Sequence, residues 1–134
     1  MKYALLIVVF LIACQKTPDT GVFFVNLTDN AKVSPTFLVQ FGVKGMVVTP
    51  AGQDIENKHS GHHHILIDNA AGEIPAGQVV PMDANNIHYG KGQTEGTLTL
   101  TPGKHTLTLQ FADGAHRSYG KKLAKTLTIE VHPK

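Results

Sequence analysis

From Val22 onward the apolar residues recur at every second position, and Gly, Pro, Asn or Asp breaks the pattern roughly every ten residues. No stretch holds a helical period for three turns, so the chain reads as all-β. The first strand candidate is Val22 to Thr28, with Phe23, Val25 and Leu27 on one face. Thr36 to Val43 follows, aligning Phe37, Val39 and Phe41, and Val47-Val48 precedes a turn at Pro50-Ala51-Gly52. His62 to Asp68 places His63, Ile65 and Ile67 on one face and His62, His64, Leu66 and Asp68 on the other. Apolar residues on both faces mark a central strand covered on two sides.

Asn69 to Gln93 is rich in Gly, Pro, Asn and Ala and reads as long ordered loops with at most short strands, the usual seat of binding residues. Gly96 to Leu100, His105 to Phe111 and Leu123 to Val131 complete the set. Six to eight short strands without helices predict an immunoglobulin-like two-sheet β-sandwich, with a small closed barrel as the alternative.

The segment ahead of the strands has a different character. Lys2 is followed by an apolar run, Ala4 to Ala13, which is too short to span a bilayer and has the parts of a secretory signal. Leu11-Ile12-Ala13-Cys14 resembles the bacterial lipobox, in which the cysteine is acylated and becomes the first residue of the mature chain. The expected division is a signal peptide over 1–13, a lipid-anchored tether over 14–21 and a sandwich domain over 22–134. Cys14 is then the lipidation site and the point of membrane attachment. Gln15 after it is not the aspartate that retains many lipoproteins at the inner membrane, so the periplasmic face of an outer membrane is the expected location, by analogy.

About 120 residues remain after the signal, enough for one core. The formal charge of +2 falls by one with Lys2, and the charges are scattered, so no basic stripe points to nucleic acid. Cys14 is the only cysteine, which leaves the domain without a disulfide or a thiolate metal site.

Imidazoles are abundant: the chain has eight histidines, of which His62, His63 and His64 are consecutive. Residues two apart in a strand share a face about 6.5 to 7 Å apart, so His62 and His64 can converge on one ion. His88 is the first candidate for a third ligand, Glu95 and His116 follow, and His63 and His105 are further possibilities. Neutral imidazole suits zinc and copper(II), while Met46 and Met82 leave a softer copper(I) site open. Against this stands a reading in which the histidines only hydrogen-bond and brace loops, with Asp68, Asp83 or Glu95 as partners.

Other motifs fail. Gly90-Lys91-Gly92 lacks the upstream glycine, the following Ser or Thr and the helix of a phosphate loop, so no nucleotide is expected. Asp68 to Glu73 lacks the alternating oxygens of a calcium loop. No nucleophile elbow is present, and Asn26-Leu27-Thr28 reads as strand sequence.

Three stretches taken together, Gly61-His62-His63-His64-Ile65-Leu66-Ile67-Asp68, His88 to Glu95 and Pro102 to His116, resemble the bacterial exported family of the domain of unknown function 4399. The resemblance spans Val33 to Val131. It implies a small secreted or lipid-anchored β domain and marks His62, His63, His64, Asp68, His88, Gln93, Glu95, His105 and His116 as motif positions, without a role. Tyr89 stands where many members carry phenylalanine.

Two functions follow as expectations. One is a non-catalytic cell-envelope module that binds copper, zinc or a small ligand through His62, His64 and His88, with Glu95 orienting an imidazole. The other is a structural lipoprotein that docks an envelope protein partner. A metal-assisted hydrolase or oxidase is a minor third.

Overall fold

In a computed structural model the described residues are 19–133, so the signal over 1–13, Cys14 and the tether up to residue 18 lie outside them. Nine strands form among the described residues: β1 Gly21–Phe24, β2 Ala31–Val33, β3 Thr36–Lys44, β4 Val47–Val48, β5 Ser60–Ile67, β6 Asn86–His88, β7 Glu95–Thr99, β8 Gly103–Ala112 and β9 Ala124–Val131. One 3₁₀ turn, Lys121–Leu123, precedes β9.

The strands make two sheets, as expected of a β-sandwich and not of a closed barrel. A three-stranded sheet has the order β1-β3-β7, and a six-stranded sheet has the order β2-β9-β8-β5-β4 with β6 also pairing to β5. Val39, Phe41 and Leu98 of the first sheet meet Ile65, Leu107, Leu109, Phe111 and Ile129 of the second. Each such side chain contributes about 1.5–3 kcal/mol on full burial.

Two expectations are corrected. The inward face of β1 carries Val22 and Phe24, while Phe23 and Val25 are 46% and 62% exposed. Both alternations there are apolar, and Gly42 on the paired strand decides between them by leaving the outer face free for the Phe23 ring. After Phe24 the strand ends; Asn26 then receives the Gln40 N–H and donates to the Leu38 carbonyl, and Leu27 turns back into the core. The second correction is the strand count, nine among the described residues against six to eight expected; β2, which runs parallel to β9 between Asn30 and Ser34-Pro35, had no strand candidate in the sequence.

β5 has the central place that its sequence predicts. It pairs with β8 on one side and with β4 and β6 on the other, and every residue from Ser60 to Ile67 is buried. His63, Ile65 and Ile67 point into the sandwich. His62, His64 and Leu66 take the opposite face, beneath the connections that follow β5 and β8, where Leu66 packs with Val80 and Ala112.

Candidate metal centre

Four imidazoles meet on the outer face of β5. His62 and His64 come from alternate positions of the strand, and their Nε2 atoms lie 3.0 Å apart. His88 stands directly across from His64 in the β5–β6 pairing. His116 comes from the β8–β9 connection, and its Nε2 is 3.2 Å from that of His88. The ligand atoms of His62, His88 and His116 all lie within 4.8 Å of one another. The His64 ring packs beside this trio, with centroids 4.8 Å from His62, 5.0 Å from His88 and 5.9 Å from His116.

Each member is held by its own local structure. β5 fixes the two inner rings, which are fully buried, whereas His88 and His116 are half-buried and form the outer rim. The backbone N–H of Tyr89 donates to the His63 carbonyl at 3.0 Å, tying the end of β6 to β5. Gly90 is needed where it stands, because a Cβ there would come within 2.1 Å of the His88 ring.

His116 adopts φ 65°, donates its N–H to the Asp113 carbonyl and accepts from Val80 N–H at 2.9 Å. Asp113 organises this turn: its Oδ1 accepts from Ala115 and Arg117 N–H, and its Oδ2 accepts from Arg117 Nε at 2.7 Å. Burial alone would raise the Asp113 carboxyl, but the hydrogen bonds from Arg117 and Ala115 hold it below the usual carboxylate range.

Electrostatics favour the neutral ring at His62, His64 and His88. Desolvation, then the neighbouring imidazoles His116, His88 and His63, push His62 down to about 4, with Asp113 opposing weakly. Desolvation and the adjacent imidazoles push His64 down to about 2, and the same causes lower His88. At neutral pH these rings have free nitrogen lone pairs, the form that binds a metal.

The remaining candidates lie elsewhere. His63 points into the sandwich between Phe41 and Phe111, its ring nitrogens without hydrogen-bond partners. Desolvation lowers it to about 4, against a weak opposing effect of the Gly42 backbone. His105 belongs to another corner, with Nδ1 2.7 Å from Asp68 Oδ2 and Nε2 2.9 Å from the Thr101 carbonyl. Glu95 does not orient an imidazole; it lies on the three-stranded sheet and accepts from Gln40 Nε2 at 2.9 Å. Met46 packs against the core and Met82 is 70% exposed.

Two supports of the site carried no sequence signal. Gln110, opposite His64 and fully buried, accepts from Ile74 N–H and donates towards the Gly120 and Leu123 carbonyls, which fastens the covering loops to the sheet. The Asp113–Arg117 pair is the other, and only its i,i+4 spacing hints at it.

No curated protein and no solved structure matches the chain. A family model described as "Domain of unknown function (DUF4399)" matches residues 39–132, a span that takes in the whole imidazole cluster, and the chain therefore belongs to the DUF4399 family.

Proposed function

We propose that the domain is a non-catalytic transition-metal-binding module of the bacterial cell envelope, in which His62, His64, His88 and His116 hold one copper or zinc ion. The observation that carries this reading is the meeting of His62, His88 and His116, from three chain segments, with ligand atoms within 4.8 Å of one another and His64 Nε2 3.0 Å from that of His62, while burial and neighbouring imidazoles lower His62, His64 and His88. Nitrogens about 2.0–2.1 Å from a tetrahedral ion stand roughly 3.3 Å apart. The pairs at 3.0 and 3.2 Å are already near that spacing. Zinc and copper(II) bind imidazole tightly among divalent ions, and no thiolate competes within the domain.

Four protein ligands complete the shell of a tetrahedral or square-planar ion. They leave no open position for water, which supports binding over hydrolase or oxidase chemistry. The signal-like segment and Cys14 support export, acylation and attachment to the membrane, at the periplasmic face of an outer membrane where one exists.

The test is metal analysis of the chain after dialysis against zinc or copper(II) sulfate, with melting temperatures in parallel. One retained equivalent and a raised melting temperature support the proposal; no retained metal and no shift overturn it. One observation favours a second reading. Without metal, one neutral ring of each Nε2 pair can donate to the other, leaving the buried Nδ1 atoms of His62 and His64 without a partner among the described residues, so the histidines can brace β5, β6 and the His116 turn in a lipoprotein that docks an envelope partner. Under that reading His62→Ala with His64→Ala lowers stability and leaves metal affinity unchanged.

A further inference from the structure

A cleft remote in composition from the imidazole cluster lies where the chain enters the fold. It is a cavity of ≈ 250 Å³ with an apolar floor of Met46, Tyr119 and Leu123. Lys58, His59 and Lys122 line its rim, all three exposed. The remaining wall is the contact between Thr20 and Gly45: φ at Gly45 is 74°, and a Cβ there would come within 2.6 Å of the Thr20 methyl.

Two features make this cleft more than a surface dent. Tyr119 is fixed by donating its hydroxyl to the Ser60 carbonyl at 2.7 Å, so the floor is rigid, and Thr20 Oγ1 is buried with no hydrogen-bond partner among the described residues. The charge is also one-sided. No carboxylate among the described residues lines the cleft, and Asp19, next to Thr20, is held by Lys44 at 2.6 Å.

An apolar slot edged by ammonium groups fits an amphiphile with an anionic head. The cavity falls short of the roughly 300–1,000 Å³ of sites that enclose a whole drug-sized ligand, so it suits a single chain segment with the head left at the surface. Thr20 follows Cys14 by six residues, a reach of at most about 20 Å. An acylated Cys14 would therefore keep the cleft close to a bilayer, whose anionic headgroups attract lysines.

We propose that this cleft takes one acyl chain of an anionic phospholipid, with the chain against Met46, Tyr119 and Leu123 and the phosphate at Lys58 and Lys122. The site seats the domain on its membrane in a fixed orientation and is independent of the metal reading. The test uses residues 15–134, which contain the entire core described above, and lipids below their micellar concentration. Dihexanoyl-phosphatidylglycerol, dihexanoyl-phosphatidylcholine and decanoate are titrated by calorimetry.

Phosphatidylglycerol is expected to bind at least tenfold more tightly than phosphatidylcholine. Lys58→Glu with Lys122→Glu should erase that preference at an unchanged melting temperature, and Met46→Trp should block binding by filling the slot. No binding of phosphatidylglycerol, or equal binding of both lipids by the native chain, overturns the proposal. Binding of decanoate alone overturns the phospholipid as occupant in favour of a free fatty acid.

Discussion

At the Asp68 corner of the sandwich one imidazole meets a carboxylate, whereas on the outer face of β5 four imidazoles meet one another. His105 has both ring nitrogens engaged by acceptors, Asp68 Oδ2 and the Thr101 carbonyl, an arrangement that only the protonated ring satisfies fully. Burial alone would lower it, but these two acceptors raise it above the ordinary histidine value. The cluster offers the opposite environment, in which each added proton would meet desolvation and other imidazoles. The same side chain is therefore shifted towards its protonated form in one place and towards its neutral form in the other, and the neighbours decide which.

The pH signs follow by linkage. A raised His105 contributes stability that is fully present below about 6.5 and is lost as pH rises through its folded value. The lowered rings of His62, His63 and His64 contribute stability that is present above about 6.5 and is lost as pH falls from there towards about 4, and towards about 2 for His64.

The largest expected effect is this acid loss. His63 alone, with its folded value near 4, should cost about 3 kcal/mol by pH 4. Urea unfolding of the metal-free chain at pH 7 and pH 4 measures it. His63→Leu keeps the volume, removes two unpaired nitrogens and should recover much of the loss while leaving pH 7 stability equal or higher. Equal acid sensitivity in that variant would show that the core histidine is not the cause.

Metal comes next. Zinc at a hundredfold excess over Kd stabilises by about 2.7 kcal/mol, which raises Tm by roughly 10 °C in a domain of this size. His62→Ala with His116→Ala should abolish the rise, and His105→Ala should leave it intact. A rise that survives the first pair and vanishes with His105 would place the ion at the wrong corner.

Gly90→Ala should have a smaller effect, about 1–2 kcal/mol in stability, because its methyl overlaps the His88 ring. Its metal affinity should fall at least tenfold, as seen by competition with a chromogenic chelator. The smallest effect belongs to Asp68→Asn: under about 1 kcal/mol, since the carboxylate is half exposed. Fluorescence-detected melting between pH 5.5 and 8 should show the difference from the native chain shrinking as pH rises.

Much of the frame was legible because one face of each long strand is buried. In β3, β8 and β9 the apolar alternation has a single inward solution, and even the two-sided burial of β5 was readable from Leu66 set between Ile65 and Ile67. β1 misled because Val22 and Phe24 are as apolar as Phe23 and Val25, and the deciding residue, Gly42, is on another strand. The spacing of His62 and His64 follows from strand geometry, and His88 from its loop-rich segment. His116 ranked behind His88 because its approach depends on a left-handed turn capped by Asp113, which no period reveals. Glu95 misled for a related reason: its proximity to His88 in sequence crosses from one sheet to the other.

The central claim is that four imidazoles share one ion. Electron paramagnetic resonance of the chain loaded with one equivalent of copper(II) tests it most directly, because equatorial nitrogens split the signal. The account predicts one bound copper per chain with four nitrogen ligands, reduced in number by His116→Ala and again by His62→Ala. Free aquated copper in the native chain, or a spectrum unchanged by both substitutions, would contradict it.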